Sequence, residues 1–302
     1  MSLTNRLLSD FEQIVIYGAK GWFGRSAIDL LMQENPNLEP HQLLFVGSKS
    51  ESALDAELPF DVYSSADALV YTKSNILFLN SAYLRREKLI SMSEIEYQAR
   101  NHQIMEFGKG LLKDRKIKTF INLSSGVASQ GNLENLGKVT DSYTKCKIAD
   151  EVILTALCEI VNTALINCRI YSMSGKFINE FEHLALSSFI RQAKSVSKEI
   201  IVDSPLTART YVDSLDLARV LFELSIKGET LFLDSGGTLT TLGDLATKIA
   251  GRFPGVHVNA RLDYDMSPNY YGDYQRFNEI VLECKVNLLE LDEQITETMK
   301  AF

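Results

Sequence analysis

A chain of 302 residues with a net charge of −8 and a pI near 5.2 lacks the basic footprint that displaces counterions from phosphate backbones, which excludes nucleic acid as its natural partner. Hydrophobic residues make up 45% of the chain and charged residues 23%, the balance of a packed globular protein, and no apolar run comes near the roughly 20 residues that span a bilayer. Residues 1–10 lack a basic start, apolar stretch and cleavage site, and Cys146, Cys158, Cys168 and Cys284 show neither CxxC pairing nor metal-ligand spacing, so a cytoplasmic setting with core-filling cysteines is expected, without membrane or metal.

The first strand signal, Ile14 to Tyr17, runs directly into Gly18-Ala19-Lys20-Gly21-Trp22-Phe23-Gly24, and Phe23, Ala27, Leu30 and Leu31 then fall at helical spacing. Glycines between a strand and a helix permit a tight turn and let the backbone approach a pyrophosphate, which rests at the positive end of the helix. This context predicts a dinucleotide held by Gly18, Lys20, Gly21, Trp22, Phe23 and Gly24, with packing beneath the loop as the alternative role of Trp22. The second strand, Leu43 to Val46, ends in Gly47-Ser48-Lys49, where an acidic residue would accept hydrogen bonds from an adenosine ribose. Ser48 can donate to a 2′-phosphate and Lys49 can neutralise it, with Lys20 adding positive potential, so NADP is expected ahead of NAD. The alternative is a solvated loop lysine, since Glu51 lies close by in sequence.

Further β-rich runs follow at Asn75 to Leu79, Thr119 to Leu123 and Leu165 to Ile170, separated by helical patterns. Alternation of strand and helix implies a parallel sheet, and continuously apolar strands imply one covered by helices on both faces. The expected fold is therefore α/β, a Rossmann-like doubly wound parallel sheet. The run at Thr119 leads into Asn122-Leu123-Ser124-Ser125-Gly126, and downstream Tyr143 and Lys147 stand four residues apart, on one face of a helix continued by Ile148, Val152, Ala156 and Ile160. A phenol ionises at about 10, too high for acid/base work at neutral pH, and a neighbouring ammonium lowers that value by stabilising the phenolate. With Ser125 bonded to the same substrate oxygen, Ser125, Tyr143 and Lys147 would polarise a carbonyl beside a nicotinamide ring.

Beyond Gly175 the pattern changes. Phe177 to Lys198 reads as mostly helical, Glu199 to Val202 as a short strand, Ser214 to Leu224 as a helix and Thr230 to Leu233 as a strand that rejoins the main sheet, while Thr241 with Asp244 forms a helix-start pattern. The expected organisation is an NAD(P)-binding Rossmann domain over residues 1–175, rejoined by 208–235, and a smaller, discontinuous C-terminal substrate lobe from 176–207 and 236–302.

Together, the glycine loop, the strand-end serine and the tyrosine-lysine pair resemble the extended short-chain dehydrogenase/reductases, often labelled the NAD-dependent epimerase/dehydratase family, and the resemblance covers nearly the whole chain. It implies Gly18, Gly21 and Gly24 as the cofactor loop and Ser125, Tyr143 and Lys147 as the catalytic triad. It further implies that Asn80-Ser81-Ala82 lines the adenine-ribose side, that Asn101 is the asparagine of the following helix, and that Tyr171 and Ser172 lie in a segment bridging nicotinamide and substrate. By the same likeness, Arg209, in an arginine-bearing turn before a helix, contacts a substrate pyrophosphate.

Two departures shape the expected activity. Ser172 replaces the family's asparagine, which loosens the usual nucleotide-sugar pose. Gly126-Val127 stands where sugar 4,6-dehydratases carry an acid pair, so water elimination lacks its acid and base. What remains is an NADP-dependent reductase or an epimerase, acting on a nucleotide sugar or related hydroxylated metabolite as a homodimer built on helices around Ile95–Leu111 and Tyr143–Ile160. The reading from another class is a noncatalytic NAD(P)-binding module that senses redox state or scaffolds a partner. His41, His102, His183 and His257 show no metal spacing, and Tyr264, Tyr270, Tyr271 and Tyr274 mark either a substrate cleft or an interface.

Overall fold

Strands in the first part of the chain have apolar centres and are buried on both faces: β1 (Gln13–Tyr17) and β4 (Ile76–Asn80) bury every residue, and β2 (Leu43–Gly47) buries all but Gly47. The computed structural model describes residues 1–131, 133–179, 182, 184–261 and 268–302, with the backbone alone at 133–135. The remaining strands are β3 (Val62–Ser64), β5 (Ile117–Ser125), β6 (Ala164–Ile170), β7 (Met173–Ser174), β8 (Glu199–Val202), β9 (Ala208–Asp213), β10 (Leu231–Asp234), β11 (Thr238–Thr241) and β12 (His257–Ala260).

Seven of these form one sheet in the order β10-β6-β5-β4-β1-β2-β3. β1 pairs in parallel with β2 on one side and β4 on the other, so strand order reverses beside it. In open sheets of this kind, ligands bind outside the carboxyl ends of the strands at that reversal. Tyr17 and Asn80, paired at those ends, mark the place.

Two compact units divide the chain: Met1–Arg169 with Ala218–Leu233, and Ile170–Leu217 with Asp234–Phe302. In the first, the core gathers Tyr17, Phe78, Phe107 and Phe120, whose neighbouring rings lie 4.9–6.3 Å apart. Burying each aromatic side chain contributes roughly 1.5–3 kcal/mol. The helices Glu94–Lys113 and Ser142–Val161 pack together, pinned where the Ser142 hydroxyl donates to Glu94 and accepts from Gln98. A helix over Leu3–Asp10 buries Leu3 and Leu7, and its Arg6 pairs with Glu223.

The second unit holds a three-stranded sheet, β11-β9-β7, and a two-stranded one, β12-β8, with a core of Leu186, Phe189, Ile190, Leu245, Ile249, Leu291 and Ile295. Its helical run is shorter than the sequence pattern suggests: the helix spans Ala185–Lys194, where Leu186, Phe189, Ile190 and Ala193 supply the buried stripe. Residues 208–213, expected to turn, are extended instead, because β9 is the central strand of the three-stranded sheet. Thr241 does cap its helix, accepting from the Asp244 amide at 3.1 Å. β10 lies at the edge of the large sheet beside β6. Among the described residues, no helix is long and apolar enough to cross a membrane.

Candidate active site

Where β1 ends, the chain turns at Gly18, whose φ of +88° is a conformation that L side chains rarely adopt. Its amide donates to the Val46 carbonyl at 2.9 Å, and a Cβ there would sit 2.7 Å from the Ala82 nitrogen. Gly24 is tighter still, since a Cβ would fall 2.2 Å from the Gly18 carbonyl oxygen. The helix Trp22–Glu34 therefore begins directly against the turn. Its N-cap, Gly21, offers no side-chain acceptor, so the positive helix end is left for a ligand. Phe23 is buried beneath the loop, Trp22 is half-buried and Lys20 exposed. This glycine-lined end of β1 fits a dinucleotide pyrophosphate on residues present in the chain.

Ser81, on the next strand end over, closes the same corner: its amide and hydroxyl both donate to the Tyr17 carbonyl, at 2.9 and 2.8 Å. Asn80 is buried in an amide ladder, donating to Asn122 at 3.0 Å, while Asn122 donates to Asn167 at 2.8 Å. Asn101, also buried, accepts from the Leu84 amide at 2.9 Å, and Tyr97 donates to the Leu84 carbonyl at 2.7 Å. These bonds fix the path of residues 80–84.

Ser48 and Lys49 stand exposed at the end of β2. Sequence spacing leaves that spot without a carboxylate, but tertiary structure supplies one. Glu51 pairs through one oxygen with Lys20 of the glycine loop and through the other with Lys49 at 2.8 Å. Both lysines hold its carboxyl below the usual range, that of Lys20 most strongly.

Tyr143 and Lys147 share a face of the Ser142–Val161 helix, which the Asp141 side chain caps by accepting from the Thr144 amide at 2.9 Å. Lys147 is 6% exposed and donates to the Leu123 carbonyl at 3.1 Å, two residues before Ser125 at the end of β5. Its ammonium lies 6.0 Å from the Tyr143 ring centre and 3.5 Å from that of Tyr83. Tyr83 and Tyr143 meet edge to face, with centres 5.7 Å apart. Burial pushes Lys147 down to about 8, against the attraction of Asp150 and Glu151, and pushes Asp150 up to about 6. Tyr83 is driven far above the ordinary phenol value, mainly by burial, so its hydroxyl stays protonated.

Sequence reading missed Tyr83 and Glu151. No spacing signals Tyr83, whose ring reaches Lys147 only through the fold. Glu151 was within reach, because it continues the i, i+4 series of Tyr143 and Lys147. It accepts from the Ser124 hydroxyl and takes both arms of Arg169, at 3.0 and 2.8 Å, tying the helix to β5 and β6.

In the second unit, the Tyr171 ring lies 5.0 Å from that of Tyr270, over which the Arg209 guanidinium sits at 5.9 Å. The Tyr171 amide donates to Ser235, and the Ser172 carbonyl accepts from Val212. Tyr271 and Tyr274 meet edge to face, while Tyr264 lies outside the described residues. His41, His102 and His257 each stand beside a glutamate at the surface, and His183 also lies outside the described residues. Cys158 and Cys168 are buried and Cys146 and Cys284 half-buried, and none of the four forms a disulfide among the described residues.

Comparison with known proteins matches these features to one group. The profile of the NAD dependent epimerase/dehydratase family matches residues 14–229. Among solved structures, the chain resembles UDP-N-acetylglucosamine 4-epimerase from Methanobrevibacter ruminantium, solved with UDP-N-acetylmuramic acid, at 16% identity and a TM-score of 0.73, covering 96% of this chain and 97% of that one. It also resembles UDP-glucose 4-epimerase from Stenotrophomonas maltophila with bound NAD and a formylated UDP-arabinopyranose, at 16% identity and a TM-score of 0.71 over the same shares. An NAD-dependent NDP-hexosamine 5,6-dehydratase of tunicamycin biosynthesis matches at 14% identity and 0.69, again over 96% and 97%. No curated protein matches in sequence. The glycine turn at the strand reversal, the matched span of 14–229 and the shared fold agree: the chain belongs to the NAD dependent epimerase/dehydratase family of enzymes.

Proposed function

We propose that the chain oxidises and reduces a hydroxyl-bearing carbon of a nucleotide sugar, or a related hydroxylated metabolite, as a reductase or an epimerase, using Ser125, Tyr143 and Lys147. The observation that carries this reading is the buried Lys147, bonded to the end of β5 and one helical turn from Tyr143. Tyr143 exchanges the proton of the substrate oxygen, Lys147 stabilises the phenolate, and Ser125 donates to the same oxygen. Bound NAD(P), held at Gly18, Gly21, Gly24 and Ser81, supplies hydride acceptance and return. Tyr171, Ser172 and Arg209 belong to the substrate side in this reading. The epimerases among the structural neighbours support the nucleotide-sugar class. Ser48 and Lys49 speak for NADP, and Glu51, which ties up Lys49, speaks for NAD.

The ammonium of Lys147 is the form that stabilises a phenolate, and it titrates at about 8. It is present below that value and lost above it, so turnover of a UDP- or dTDP-sugar is expected to fall as pH rises through about 8. A rate that stays flat from about pH 7 to about pH 10 would remove Lys147 from this role. A homodimer is proposed through the paired helices Glu94–Lys113 and Ser142–Val161, which leave Ile95 and Ile160 exposed at 81% and 74%. Sedimentation velocity at micromolar concentration checks it, and a monomer alone refutes it.

A further inference from the structure

We propose that Tyr83 is a positioning residue whose ring face holds the Lys147 ammonium beside Tyr143, where the proposed proton transfer needs it. The inference rests on the triad proposed above and adds the side chain that keeps its lysine in place and charged.

An ammonium taken out of water needs close partners, because an isolated buried charge is costly. Lys147 is buried, and among the described residues its hydrogen bond goes to the Leu123 carbonyl, which uses one of three N–H donors. Asp150 and Glu151, on its own helix, attract it without a hydrogen bond. Both carboxylates answer to other groups as well: Glu151 takes Ser124 and both arms of Arg169 from β5 and β6, and Asp150 is drawn to Lys109 of the neighbouring helix. The adjoining Cys146 is a thiol that burial pushes up, so it brings no charge at neutral pH. What meets the ammonium closely is the Tyr83 ring, whose centre lies 3.5 Å away against 6.0 Å for that of Tyr143. A ring face attracts a cation through its quadrupole, and does so most where water is excluded.

The backbone keeps that ring where it is. Two residues before it, the Ser81 amide donates to the Tyr17 carbonyl, and directly after it Leu84 bonds through its amide to Asn101 and through its carbonyl to Tyr97. Tyr83 also meets Tyr143 edge to face, so ring, ring and ammonium form one packed trio. Burial alone would make Lys147 surrender its proton, whereas a ring face favours the charged form, and only that form stabilises a phenolate at Tyr143. An aliphatic side chain in place of Tyr83 still excludes water but withdraws the attraction. Lys147 should then lose its proton more readily.

The test is a ¹³C NMR titration of the full-length protein labelled at lysine Cε, with the Lys147 signal identified by its loss in Lys147→Met. In the wild type, Lys147 is expected to titrate well below the exposed lysines. Tyr83→Leu should make it release its proton about tenfold more readily, while Tyr83→Phe, which keeps the ring face and drops only a hydroxyl beside Asp150 and Cys146, stays within about twofold of the wild type. Melting temperatures verify folding, and Tyr83→Met, with a flexible side chain of similar reach, repeats the comparison where the leucine variant does not fold. If Lys147 titrates in Tyr83→Leu as in the wild type, or if Tyr83→Phe changes it as much as Tyr83→Leu, the role of the ring is overturned while the triad stands. A wild-type Lys147 that titrates with the exposed lysines overturns the buried lysine of the triad and this inference with it.

Discussion

Replacing Tyr143 by phenylalanine is expected to lower kcat by about a thousandfold while changing NADH affinity by less than about threefold. The ring survives the substitution, so its edge-to-face contact with Tyr83 persists, and Lys147 keeps both the Leu123 carbonyl and the Tyr83 ring face. What disappears is the hydroxyl proposed to exchange a proton beside the Lys147 ammonium. Loss of a positioned acid/base falls on the transition state and not on ground-state binding, so kcat and kcat/KM should drop together. The measurement is steady-state turnover of a sugar nucleotide, paired with direct NADH titration. Undiminished turnover would sink the proposed mechanism. Equal loss of nucleotide affinity would mean that the residue shapes the cofactor site and not the chemistry.

How much of this was readable before folding depends on the distance over which each feature is determined. β1, β2, β4, β5 and β6 were legible because their centres are buried on both faces and read as mostly apolar runs. β3, β7, β11 and β12, two to four residues each, carry no pattern of their own and exist only as partners of other strands. The glycine turn was legible because strand, turn and helix are contiguous. Residues 208–213 misled for the opposite reason: Arg209 to Asp213 resembles a turn motif, yet its conformation is dictated by β7 and β11 on either side.

The charged residues follow the same division. Tyr143 and Lys147 are linked by helical periodicity, and so is Glu151, but its partners Ser124 and Arg169 come from β5 and β6 and meet it only in the folded chain. Glu51 and Tyr83 could not be placed from spacing at all. Lys20 and Glu51 are separated by a complete helix and strand, and the interaction between them is a consequence of β1 lying beside β2. Electrostatic balance at the proposed nucleotide site is thus a tertiary property even where the glycine turn itself is local.

Gly24→Ala tests that cradle, and its expected effect is large despite the addition of one methyl group. The new Cβ would meet the Gly18 oxygen at 2.2 Å and the Ala19 Cα at 2.9 Å, all backbone, so no side chain can rotate away. Relief requires lifting the helix Trp22–Glu34 off the turn, which stretches the hydrogen bond that the Gly21 amide donates to the Gly18 carbonyl, now 2.9 Å, and strains the packing of Leu30 and Leu31. Destabilisation of about 2–4 kcal/mol is expected, with NADH affinity reduced by at least about a hundredfold, because the proposed pyrophosphate contacts depend on that helix end. Gly110→Ala is the matched control. It lies within the helix Glu94–Lys113, and a Cβ there meets nothing within 4 Å, so the same chemical change should stabilise by about 0.5–1 kcal/mol through helix propensity. Chemical denaturation of both variants with NADH titration separates the outcomes. If Gly24→Ala kept wild-type stability and affinity, the turn would have slack, and its tight geometry would not be what holds the phosphates.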